Sequence, residues 1–171
     1  MKQTLPVNLN FRQKAKTGFE IQGKLPIKQL KRLNDVLLSD LGDVQVELKF
    51  GFAGHIPFIQ GHIATELQLK CQRCMQPMAH IIDNDFKLGL VLNEEQMDKL
   101  PDDFEPYLVE DDSNHLHDMI EDELLLSMPL VAMHDFECSE HINVEDTVQD
   151  AAAGSSDEKE NPFSVLKDLL K

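Results

Sequence analysis

Two cysteines two residues apart, Cys71 and Cys74 in "LKCQRCMQP", are the side chains of this chain best suited to chemistry. A pair spaced in this way can hold half of a tetrahedral metal site, act as a thiol–disulfide couple, or pack as two small residues at a bend. A redox couple works best where the pair opens a helix, because the helix N-terminus lowers the first thiol's pKa. Here Pro77 and an alternating, strand-like stretch follow, so that assistance is missing. A metal site needs two more donors. They are present in "MHDFECSEH", where His134 and Cys138 complete a set with Cys71 and Cys74 and His141 is a substitute. Zinc is the metal that such thiol and imidazole donors favour. The 59 residues between the halves make the spacing unspecific, and Met75 stands where a zinc knuckle usually has glycine. Metal site and simple packing therefore both stay open, with packing as the simpler account.

Around these residues the hydrophobic pattern predicts the elements that position them. "IQGHIATELQLKCQRC" puts Ile59, Gly61, Ile63, Thr65, Leu67, Leu69 and Cys71 on one face, which is the period of a strand. "PMAHIIDNDFKLGLVL" supplies an antiparallel partner, so the cysteines fall at a hairpin tip. Further strands are expected in "LPVNLNF" (Leu5 to Phe11), "TGFEIQGKLP" and "GDVQVELKFGF". "PIKQLKRLNDVLLSD" has apolar residues at spacings of three and predicts a short helix after Pro26, with Lys28, Lys31 and Arg32 on its other face. "HLHDMIEDELLLSMPLVAMH" predicts a second helix, capped by Ser113 or Asn114 and ended by Pro129 near Met128. The fold class expected is α+β, a twisted antiparallel sheet of four to six strands covered by these two helices. Residues 1–148 would form that domain, and 149–171 a flexible, linker-like acidic tail ending in a short amphipathic helix.

Charge divides the chain more sharply than hydropathy does. The net charge is −15, yet residues 1–92 carry 12 Lys and Arg against 8 Asp and Glu, and residues 93–171 carry 4 against 23. An acidic half of that strength repels phosphate backbones and attracts basic surfaces. It disfavours direct, extensive RNA binding, which depends on Lys and Arg neutralising phosphates. The chain has no apolar signal core at its start and no apolar run of membrane-spanning length, so a cytoplasmic protein with no membrane association is expected. No glycine-rich phosphate loop, H-E-x-x-H or G-x-S-x-G is present.

Three stretches in order, "LKCQRCMQPM", "EDELLLSMPLVAMH" and the terminal "NPFSVLKDL", resemble the YceD family of bacterial large ribosomal RNA subunit accumulation proteins. The matching positions are Cys71, Gln72, Arg73, Cys74 and Pro77; Glu121, Asp122, Glu123, Pro129 and His134; and Asn161, Pro162, Phe163 and Leu166. The resemblance implies a non-enzymatic cytoplasmic role in the synthesis, processing or stability of 23S ribosomal RNA. It also implies that related chains carry a fuller cysteine cluster near the place of Cys138, similar to a zinc ribbon. Here only one cysteine stands there, so either His134 completes the set or the metal has been lost. Joined to the charge distribution, it points to a basic ribosomal protein or large-subunit assembly factor as partner, with 23S RNA touched indirectly or at the edge. Lys28, Lys31, Arg32 and Arg73, the acids Glu121 to Glu123, and the terminal Asn161, Pro162, Phe163 and Leu166 are the expected interaction residues. The alternative is a zinc-dependent RNA-processing enzyme built on Cys71, Cys74 and His134.

Overall fold

The computed structural model describes residues 3–109 and 114–139. The chain divides into two units, Met1–Phe136 and Glu137–Lys171. The first is built on a six-stranded sheet. Its strands are β1 (Gln3–Thr4), β3 (Glu20–Pro26), β4 (Asp43–Ala53), β5 (Ile56–Lys70), β6 (Pro77–Val91) and β7 (Glu105–Leu108), in the order β1-β3-β4-β5-β6-β7. The central four run antiparallel, and the two outer pairs, β1–β3 and β6–β7, are parallel. A separate two-stranded ladder joins β2 (Asn8–Leu9) to β8 (Asn114–His115). The α+β architecture expected from the sequence is thus observed.

Alternation along the strands sets the core. Val44, Val46, Leu48 and Phe50 of β4 and Ile59, Ile63, Leu67 and Leu69 of β5 are buried on one face of the sheet. The opposite face, with Glu47, Gln60 and Glu66, stays in solvent. Two helices cover the apolar face, α1 (Phe11–Thr17) and α3 (Leu116–Ser127). From α3, Leu116, Met119, Ile120 and Leu124 are fully buried. They recur at intervals of three, one and four, the stripe of an amphipathic helix.

The longest ladder is the β5–β6 hairpin, in register from Phe58 opposite Gly89 to Lys70 opposite Pro77. Within it Gly61 faces Phe86, whose ring lies over the glycine. A Cβ at Gly61 would stand 2.1 Å from Phe86 Cζ. Gly61 is therefore the space that the aromatic ring fills.

Three local expectations give way to the structure. "LPVNLNF" is not one strand: Pro6 cannot donate to a ladder, and Asn10 caps a helix by accepting from the Gln13 N–H at 2.8 Å. That helix ends at Gly18, in the left-handed region at φ 59. The basic stretch is not a regular helix either. It makes a 3-10 turn at Ile27–Gln29, an extended Leu30, and one α-turn, α2 (Lys31–Asn34). Ile27, Leu30 and Leu33 are all fully buried, and a spacing of three suits three residues per turn better than 3.6. At α3 the cap position is His115, with no side-chain cap bond; the start is held instead by the Leu116 N–H donating to Val7 O at 2.9 Å. The expected domain boundary near residue 148 lies outside the described residues.

Candidate functional site

The hairpin tip is shaped by three backbone–backbone bonds and by the Arg73 side chain before any thiol takes part. Cys71 closes the ladder by donating to Gln76 O at 2.9 Å, and Met75 donates back to Cys71 O at 2.9 Å. This turn puts Met75 at φ 64, in the left-handed region that glycine enters without strain. The knuckle glycine is absent, but the backbone shape that it favours is present. Gln72 N–H donates to Ala132 O at 2.7 Å, and the Arg73 guanidinium donates to His134 O at 2.9 Å and also to Phe136 O. Residues after α3 are thereby tied to the tip, and His134 arrives beside the cysteines.

Cys71 is fully buried, and Cys74 and His134 are half-buried. One donor atom from each lies within 4.8 Å of the other two. Cys74 Sγ is 3.4 Å from His134 Nδ1, close to the edge of roughly 3.5 Å that zinc–sulfur and zinc–nitrogen bonds subtend in a tetrahedron. His134 Nε2 stands 3.1 Å from Pro77 O. A proton on Nε2 donating there leaves the Nδ1 lone pair facing the sulfur, the second-shell arrangement of a metal-binding imidazole. Burial raises the Cys71 pKa, but hydrogen bonds from the backbone of Cys74, His134 and Arg73 outweigh it and hold the thiol at about 5. These donors fit zinc. Cys138, half-buried, belongs to the second unit, four residues beyond His134 along the chain. Among the described residues no other group of three or more Cys, His, Asp or Glu donors gathers this closely, and this one includes no carboxylate.

The remaining candidates are placed as follows. Arg32 faces α3: its Nε donates to Glu121 at 2.9 Å, its Nη1 to Asp122 at 2.7 Å and its Nη2 to Asp118 O at 3.2 Å. Glu121 is buried and also accepts from the Leu33 N–H at 3.0 Å. These ion pairs raise the Arg32 pKa through the Glu121 and Asp122 bonds. Arg32 and its acidic partners thus clamp α2 to α3. Lys28 and Lys31 are exposed. Glu123, next to Asp122 in the chain, is buried, and burial, then Glu105 and Asp122, push its pKa up to about 7. Asn161, Pro162, Phe163 and Leu166 lie outside the described residues. Sequence reasoning passed over Asp83, Asp85 and Glu105. The alternation of β6 could have placed the first two on one face, whereas nothing in the sequence brings Glu105 to them.

No helix among the described residues is long and apolar enough to cross a membrane. The family described as large ribosomal RNA subunit accumulation protein YceD matches residues 59–170. A relative from Haemophilus influenzae of the same description is 32% identical over 174 residues, covering 98% of this chain and 97% of the relative. No solved structure matches.

Proposed function

From the premise that the chain belongs to the large ribosomal RNA subunit accumulation (YceD) family, we propose that it supports the synthesis, processing or stability of 23S ribosomal RNA in the cytoplasm, without catalysing a reaction, through a basic protein partner. The observation that carries the protein-mediated part is the distribution of charge. Residues 93–171 hold 4 basic against 23 acidic side chains, and such a surface attracts polycations and repels phosphates. The basic side chains that could offset it are partly engaged: Arg32 with Glu121 and Asp122, Arg73 with two backbone carbonyls. Lys28 and Lys31 are left as the exposed pair that would touch RNA at the margin of a complex.

Zinc has a structural place in this proposal. Cys71, Cys74 and His134 would hold it, with Cys138 as the fourth donor by its nearness along the chain. Bound there, zinc would supply a cross-link between the hairpin tip and the residues that follow α3. Four protein donors would leave no open position, which suits a scaffold.

The test is the ratio of 23S to 16S RNA in cells depleted of the protein. A fall that the wild-type chain restores supports the proposal; an unchanged ratio overturns it.

A further inference from the structure

Strand β6 pairs with β5 from Pro77 to Gly89, and on its other side β7 meets Leu88 to Val91. Among the described residues no strand pairs with the outer edge of β6 before Leu88. An open edge presents a row of backbone N–H and C=O groups to any extended chain of suitable chemistry. Here that edge borders a groove of about 450 Å³ between β6, the start of β7 and the last turns of α3. Asn84 Nδ2 donates to Ser127 Oγ at 3.1 Å and fixes α3 across its floor.

The groove is acidic on both sides of the edge. Asp83 and Asp85 are exposed and point from the solvent face, where His62 lies 3.8 and 3.0 Å away. Glu105 and Glu123 line the other side. Glu123 is 5% exposed, and neither an ion pair nor a hydrogen bond to its carboxylate exists among the described residues. Two basic side chains of this unit are engaged elsewhere: Arg32 by Glu121 and Asp122, and Lys87 by Asp103. A largely buried side chain whose carboxyl has no partner among the described residues and opens on a groove gives an added cation a counter-charge there. The four carboxylates do not gather within 4.8 Å of one another, unlike the thiol cluster, so they do not form the cage of a single metal ion. Exposed Ile81 and Leu126 rim the groove, and they suit the aliphatic stems of Lys and Arg better than a hydrated ion.

We infer that the edge of β6 from His80 to Phe86 is a docking site for an extended basic segment of a partner protein. The segment adds as a strand, with Lys or Arg on one face toward Asp83 and Asp85 and on the other toward Glu105 and Glu123. This deepens the protein-mediated function proposed above and rests on it. Backbone bonding supplies affinity without regard to sequence, and the acids on both faces select positive charge.

Hydrogen exchange of the full chain at physiological salt tests it, with a nonapeptide of three Lys-Lys-Val repeats, which presents lysine on both faces of an extended strand, as probe and the matching Glu-Glu-Val peptide as control. The expected result is binding of the lysine peptide alone, with new protection of the amides of residues 80–86. Affinity should fall at least about tenfold when Asp83→Asn, Asp85→Asn, Glu105→Gln and Glu123→Gln are combined. These changes keep side-chain shape, and an unchanged melting profile would show that the variant folds. Absence of binding, equal binding of both peptides, or binding without protection at 80–86 overturns the inference. So does protection already present without peptide, whether from a second copy, seen as a concentration-dependent dimer, or from the chain's own residues after 139, seen on their removal. None of these results alters the 23S to 16S ratio in depleted cells, so the two proposals can fail separately.

Discussion

The two borders of strand β6 are built in opposite ways. At its first residue, Pro77, the strand emerges from a tip where backbone bonds, the Arg73 guanidinium and the cluster of Cys71, Cys74 and His134 meet. Along its outer edge, from His80 to Phe86, no strand lies beside it among the described residues, and acids stand on both faces. The tip is tied together by bonds within the chain, while at the edge the Glu123 carboxyl has no ion pair or hydrogen bond among the described residues. The difference teaches where to look for structure and where for a partner. A donor set that closes on itself is suited to holding the fold, and an unclosed one to recognition.

Several substitutions would break or sharpen that contrast. The largest effect is expected at the tip. In protein purified without chelator, Cys74→Ser or His134→Ala should release bound zinc, measured as metal per chain, and cost on the order of 3 kcal/mol or more in denaturant unfolding. Wild-type protein that carries no zinc and a Cys74→Ser variant of unchanged stability would reduce the tip to simple packing.

Next comes the clamp that holds α3 in place beside the edge. Glu121→Ala leaves the buried Leu33 N–H without its acceptor and Arg32 with Asp122 and a carbonyl. The expected loss is about 2–3 kcal/mol of unfolding free energy. Gly61→Ala should cost about 2 kcal/mol, because the added methyl meets the ring of Phe86.

A smaller and diagnostic effect belongs to the edge. Glu123 titrates at about 7 in the fold against 4.5 in its ordinary state. Between those values the folded chain binds more protons than the unfolded one, so stability falls as pH rises from 4.5 to about 7 and then levels off. With allowance for solvent screening the loss is on the order of 1 kcal/mol. Glu123→Gln should flatten that part of a stability–pH curve, and a variant with the wild-type slope would place the titration elsewhere. The smallest expected change is at Met75, held at φ 64. Met75→Gly should raise the unfolding free energy slightly, by about 0.5 kcal/mol in denaturant unfolding, through relief of that conformation.

The contrast also explains what the sequence made legible. Strict alternation from Ile59 to Cys71 and the stripe on Leu116 to Leu124 are local patterns, and both elements lie where those patterns place them. The position of the cysteines at a hairpin tip follows from the same alternation, with Pro77 opening β6. Helix α1 escaped because its signals, Asn10 as cap and Gly18 as stop, enclose only seven residues whose buried positions are just Phe11 and Ala15. The turns at Ile27–Asn34 escaped because a spacing of three is shared by short α and 3-10 pieces. The acidic edge escaped for a different reason. Asp83, Glu105 and Glu123 come from three elements about 20 residues apart, and only the fold sets them around one groove. Long-range pairing carries no local periodicity, so no pattern along the chain announces it.

The central claim is that this family member acts on 23S RNA through an acidic protein-binding edge held up by a closed scaffold. The direct measurement is the 23S to 16S ratio in depleted cells rescued either by the wild-type chain or by the folded variant with Asp83→Asn, Asp85→Asn, Glu105→Gln and Glu123→Gln. The account predicts that the wild-type chain restores the ratio and the variant, at equal abundance, does not. Full restoration by the variant would contradict it.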